Sequence, residues 1–149
     1  METTRKKITG IVKEFRNPIF EVYIKTSRIL GVKAEQDMEY DKEQVEQIIS
    51  NVQFLAQGQK YLVLISAGPL TTITFQGLRA LASHQSFAYA HAKAYVIHTL
   101  SQRIMANFYL RYFKPKVPVK FFKNEREAEL WLLKSFRHIF SVQPAELVY

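Results

Sequence analysis

The sequence predicts an α/β domain: one mixed sheet of four or five strands with helices packed on it, in the order β-β-α-β-α-β-α-β-α. Three observations lead there. Apolar spacing switches repeatedly between strand-like runs and helix-like stripes. After an opening hairpin the chain thus alternates in βα units, which fold as parallel strands with right-handed crossovers. The run Tyr61–Ile65 (YLVLI) is apolar without alternation, as suits a strand covered on both faces inside a parallel sheet. Capping residues stand where the helical stripes begin.

In chain order, Ile8–Phe15 alternates weakly and has room for a short extra strand within an N-terminal arm, residues 1–16. Pro18 sits at a strand start, where its missing N–H does least harm. Ile19–Lys25 (IFEVYIK) and Arg28–Ala34 (RILGVKA) are the two arms of a hairpin around Thr26-Ser27, and Gly31 marks a bulge or a close approach of another backbone. Asp41-Lys42-Glu43-Gln44 reads as a capping box. Val45, Ile48, Ile49, Val52 and Leu55 then form one helical stripe, stopped by Gly58.

Tyr61–Ile65 follows as the central strand. After the Gly68-Pro69 turn, Phe75, Leu78, Leu81 and Ala82 are spaced as a short helix capped by Thr72 or Thr74. Ala92–His98 is a strand. Thr99 or Ser101 caps a helix carrying Ile104, Met105, Phe108, Tyr109 and Tyr112, which Lys114-Pro115 ends. Pro118–Phe122 is a last short strand. Asn124 caps a final helix with Glu125 and Glu127 in its first turn, where the dipole favours acids. Its inner face is Ala128, Trp131, Leu132, Ser135 and Phe136, with Trp131 expected to be mostly buried. The tail 141–149 has no period, and residues 17–140 are read as a single domain.

At 149 residues, 48% hydrophobic and 23% charged, the chain has the composition of one globular domain. The absence of cysteine removes disulfides, thiolate metal sites and cysteine nucleophiles. No apolar run approaches the ~20 residues of a membrane span. No apolar stretch follows Met1–Lys7 as a secretory signal requires, which predicts a cytoplasmic protein.

The net charge of +8 is uneven: residues 1–16 carry +3, residues 17–92 carry −1 and residues 93–149 carry +6. The C-terminal cations, Lys93, Arg103, Arg111 and Lys114 among them, would attract nucleic acid or an anionic surface. The plainer reading is a solvated basic face, because these cations are divided among a strand, a turn and two helices. Nucleic-acid binding is therefore expected to be weak.

The order of elements is that of STAS domains, the fold of bacterial anti-sigma-factor antagonists, and the local sequence resembles a small group of uncharacterised bacterial STAS-like proteins. The matching stretches are YLVLISAGPLTTITFQGLRALAS, AKAYVIHTLSQRIMANFYLRYFKPKVPVKFF and NEREAELWLL. They lie within residues 19–135, and Arg103 to Trp131 is the most specific part. The resemblance implies a non-catalytic regulatory or protein-interaction domain. In antagonist STAS domains a helix opens with an Asp-Ser-Ser-Gly-Leu-like run whose serine is phosphorylated. Here Thr74-Phe75-Gln76 precedes Gly77-Leu78, and Gln76 stands at the phosphoserine position without a hydroxyl. The phosphoserine switch does not carry over at that position. Thr71, Thr72 and Thr74 are simplest as helix caps.

No catalytic, cofactor or metal constellation emerges. His84, His91 and His98 are evenly spaced but fall on a helix end, a loop and a strand end. Ser66 and His98 end neighbouring strands, yet there is no G-x-S-x-G elbow, and no acid lies between Asn51 and Asn124 to orient the histidine. The aromatics around Arg111 and Lys114 are expected to divide, with Phe108 and Tyr112 facing the sheet and Tyr109 and Phe113 partly exposed. The reading is thus a binding domain whose partner is another protein, or a second copy of the chain. The partner would dock at the carboxyl edge of the sheet: Ser66, Gly68, Thr71, Thr72, Thr74, Gln76, His98, Arg103, Tyr109 and Phe113. The alternative is a small apolar ligand or lipid held beside Tyr95 and Phe108; a weak nucleic-acid module ranks third.

Overall fold

The structure is a computed structural model that describes residues 4–8, 11–26, 28–83 and 87–136. Its nine strands are β1 (Thr4–Ile8), β2 (Ile11–Arg16), β3 (Glu21–Ile24), β4 (Ile29–Ala34), β5 (Glu39–Tyr40), β6 (Tyr61–Ala67), β7 (Thr72–Ile73), β8 (Ala90–Val96) and β9 (Val119–Phe122). The helices are α1 (Lys42–Ala56), α2 (Phe75–Ala82), α3 (Leu100–Phe108) and α4 (Glu125–Phe136), and α3 runs into a π-helical turn, Tyr109–Phe113. His84, Ser27 and the tail 141–149, all read in the sequence, lie outside the described residues.

The main sheet is mixed and has seven strands in the order β1-β2-β3-β4-β6-β8-β9. Its first three pairings are antiparallel and its last three parallel. The five strands read from the sequence are all present. The N-terminal arm extends the sheet with two more, since Glu14–Arg16 pair with Glu21–Tyr23. A separate parallel pair, β5 with β7, aligns the starts of α1 and α2.

Helix α1 follows its sequence signals closely. Asp41 caps it in a reciprocal box with Gln44, and Val45, Ile48, Ile49, Val52 and Leu55 are its buried residues. It ends with Gln57 in the left-handed region and Gly58 at φ +73. Its stripe packs on one sheet face against Phe15, Val22, Val32 and Val63. Among the described residues α4 covers the opposite face, with Ala128 and Leu132 against Leu62, Leu64, Ala92 and Ala94. Lys25 reaches across from β3 to Glu125 of α4 at 2.7 Å.

Three expectations change. Trp131 is half-buried rather than mostly buried; its ring leans on Phe122 and Phe136, and Ser135 is exposed. At Gly31 the close neighbour is a side chain, not a backbone: the Tyr23 ring lies where a Cβ would stand, across the β3–β4 pairing. Helix α2 packs mainly against α1 and the π-helical turn rather than on the sheet, and this offset leaves a cavity beneath it.

Candidate functional site

The cavity lies between the sheet and the three helices α1, α2 and α3, and has a volume of about 590 Å³. That is within the range of small-molecule sites, about 300–1,000 Å³. Val32, Ile65, Tyr95 and Phe121 form its floor, and Val45, Ile48, Leu78 and Leu81 two of its walls. Met105, Ala106 and Tyr109 of α3 close the third side. Among the described residues no charged side chain lines it. The buried hydroxyls of Tyr95 and Tyr109 lie near each other, with no other hydrogen-bond partner among the described residues. Burial pushes the Tyr95 phenol well above its ordinary value, and the nearby Tyr109 adds to this.

The mouth is at the carboxyl edge of the sheet, where the β6–β7 loop faces the start of α3. One side chain stitches these two together. Gln102 is the third residue of α3 and completes a capping box with Thr99. Its Oε1 accepts from the His98 N–H at 2.7 Å and from the Thr99 N–H at 3.3 Å. Its Nε2 donates to Gly68 O at 2.6 Å and to Thr71 O at 2.9 Å. Gln102→Glu keeps the acceptor for the cap but turns the other oxygen, with its charge, on two carbonyls. A loss of about 1–3 kcal/mol is expected, as for partners left unsatisfied. Hydrogen exchange at residues 68–71 should accelerate with it; unchanged exchange there would mean the stitch holds nothing.

The sequence-read residues divide between this mouth and other places. Gly68 and Thr71 belong to the mouth. The Gly68 N–H donates to Thr71 Oγ1, which itself donates to Gln36 O. A Cβ on Gly68 would meet Glu35 O at 2.5 Å, so this turn needs a glycine. Thr72 is exposed beside the opening. Thr74 is the N-cap of α2, accepting from Gly77 N–H, and its hydroxyl donates to Asp41 Oδ1 at 2.7 Å, tying the starts of α2 and α1. Gln76, His98 and Arg103 are exposed. Tyr109 is inside, 2% exposed. Phe113 is half-buried.

The aromatic division is the reverse of the one expected. Tyr109 faces the interior and Phe113 is half-covered, while Phe108 and Tyr112 are exposed. A helical wheel merges these residues into one stripe. The wider i→i+5 turn holds residues four apart more nearly in line than a 3.6-residue turn does. Two rows result: Met105, Tyr109 and Phe113 inward, Ile104, Phe108 and Tyr112 outward.

Ser66 lies apart from the cavity. It is buried among the residues of β6 and donates to Glu35 Oε2 at 2.7 Å. The expected lack of a carboxylate at this edge is thereby corrected: Glu35, just past β4, comes from the first third of the chain. No hydrogen bond joins the His98 ring to this pair among the described residues. His91, read as a loop residue, lies within β8. Lys93, counted with the solvated cations, is instead 5% exposed. Its Nζ lies over the Phe87 ring and makes one long contact, 3.5 Å, to Leu81 O. Burial pushes its amine down to about 8. Gln102 was not singled out in the sequence, though Thr99 and Gln102 have the capping-box spacing that identified Asp41 and Gln44. Glu35 and Lys93 carry no such signal.

The family model described as "Domain of unknown function (DUF7793)" matches residues 22–136. Among curated proteins none matches the chain. Among solved structures, the chain is similar to an uncharacterized protein of the DUF3478 family with a SpoIIAA-like fold, from Shewanella loihica PV-4. The two are 14% identical with a TM-score of 0.50, over 88% of this chain and 92% of that one. The likeness establishes the SpoIIAA-like, that is STAS-like, fold which the sequence resemblance implied.

Proposed function

The chain belongs to the DUF7793 family, and we propose that it is a non-catalytic binding domain whose ligand is a small apolar molecule held between the sheet and α1–α3. The observation that carries this reading is the 590 Å³ cavity without a charged lining. A concave, predominantly apolar space of this size is the feature that most often marks a small-molecule site. The groups that chemistry would need are elsewhere: Ser66 and Glu35 are not among the lining residues, and neither is Lys93. The reading moves the sequence's alternative ahead of its first choice.

The test uses N-phenyl-1-naphthylamine, a neutral apolar probe whose emission rises in apolar surroundings. One saturable site with micromolar affinity is expected. Ala106 lines the cavity and is 6% exposed; Ala106→Phe fills it and should weaken binding at least tenfold without lowering the melting temperature. Non-saturable uptake, or equal binding by the filled variant, would contradict the reading.

A second reading, a protein-interaction domain, is favoured by one separate observation. Phe108, Tyr112 and Phe75 are exposed together on the outer side of α3 and α2, and contiguous exposed apolar surface marks interaction sites. The same helix thus walls the cavity on one side and offers this surface on the other.

A further inference from the structure

We propose that the outer face of α3 docks an acidic amphipathic helix of another protein. This rests on the second reading above and specifies the partner's chemistry. Leu100, Ile104, Phe108 and Tyr112 stand four residues apart and are all exposed, Leu100 at 73% and Ile104 at 59%. They form an apolar row, about 12 Å long from Leu100 to Phe108 at 1.5 Å per residue and extended by Tyr112 on the π-helical turn. A ridge of residues four apart is what helix-on-helix packing seats in a groove. Phe75 of α2 widens it, with its ring 6.2 Å from Phe108 and 6.0 Å from Tyr112.

The helices that carry the ridge bear charge of one sign, and the nearest acid, Asp41, is engaged at the start of α2 by Thr74. Arg103, Arg111, Lys114 and, on α2, Arg79 are exposed, and none makes an ion pair among the described residues. Not one Asp or Glu occurs from residue 47 to residue 124. An apolar ridge on helices whose own charges are all cations fits a helix with an apolar seam bordered by carboxylates, with the charges steering approach and excluding basic partners.

Other occupants fit less well. A second copy packed ridge to ridge sets Arg103 and Arg111 against their own equivalents. Nucleic acid would find at most one face of each ring open for base stacking, because Phe108 and Tyr112 already stack on each other, 5.1 Å apart at 13°.

The experiment titrates the full chain against three fluorescein-labelled 18-residue peptides, read by anisotropy at 0.05 and 0.2 M salt. All three carry leucine at the a and d heptad positions, with Glu, Gln or Lys elsewhere. The Glu peptide should bind at least tenfold more tightly than the Gln peptide, and the Lys peptide not measurably. Ile104→Glu should weaken the Glu peptide at least tenfold with an unchanged melting temperature. Arg103→Glu with Arg111→Glu should transfer the preference to the Lys peptide. Equal binding of all three overturns the acidic specification but keeps the protein-docking reading. Failure of every peptide overturns both. Self-association, phosphatidylglycerol-vesicle binding or oligonucleotide binding that Ile104→Glu abolishes, with no Glu-peptide binding, assigns the ridge to that occupant and overturns the proposal.

Discussion

Replacing Lys93 with methionine is expected to stabilise the protein at pH 7 by about 1–3 kcal/mol and to flatten its stability between pH 8 and 10. Lys93 has its amine buried against Phe87 with one long contact to Leu81 O, so the charged form lacks the partners that normally compensate a buried cation. Burial lowers the amine from 10.5 to about 8. Below pH 8 both folded and unfolded states hold the proton, and the whole cost of the buried charge is present. Between 8 and 10.5 the folded state releases it first, the unfolded state binds more protons, and stability rises with pH. The full gain is about 3 kcal/mol. Buried phenols work in the opposite direction: Tyr61, Tyr95 and Tyr109 are all raised by burial, so above about pH 10 the unfolded state ionises first and stability falls. Urea unfolding across pH 7–10 should therefore show a rise in the parent that Lys93→Met lacks. A parent curve flat through that window would place the amine in water.

Leu132→Ala is expected to cost about 2–5 kcal/mol, the range for emptying a fully buried leucine site. Leu132 is 0% exposed, and the strand residues facing it include Ala92 and Ala94, also fully buried. Those small side chains admit α4 close to the sheet and have nothing with which to fill the void. Its second tether, Lys25 to Glu125 and Glu129, is partly exposed, and such pairs contribute about 0–1 kcal/mol. Leu130, two residues away and 42% exposed, is the control, and Leu130→Ala should cost under about 1 kcal/mol by the loss of half-solvated apolar area. Similar losses at both positions, read by denaturant midpoint, would mean α4 is not docked through Leu132.

The sequence was most legible where structure is local. Helix α1 could be read from cap to buried stripe because Asp41, Gln44 and Val45–Leu55 sit within fifteen residues and a capping box makes its own contacts. The unalternating run of β6 announced a strand covered on both faces. Legibility ended where distant segments meet. The pairing of Ser66 with Glu35 spans 31 residues, and no spacing rule connects them. A lysine between alanines in β8 gives no sign that its amine is covered by Phe87. Tyr109 and Tyr112 took the opposite faces to those expected, because apolar spacing gives a stripe without saying which of its two rows meets the sheet. The candidate edge residues were legible as an edge, since Gly68, Thr71 and Thr72 do gather at one opening. The cavity behind them was not, because it arises from α2 resting on α1 and the π-helical turn rather than on the sheet.

The most direct measurement is the position of a heavy atom carried by an apolar ligand. Crystals of the protein grown with 12-bromododecanol should show anomalous bromine signal inside the cavity, between Ile65 and Tyr95 of the sheet and Met105 of α3, at one site per chain. Ala106→Phe crystals should lose it. Bromine confined to the exposed ridge at Ile104 and Phe108, or absent from a cavity filled by collapsed side chains, would contradict the claim that this fold carries a ligand in its core.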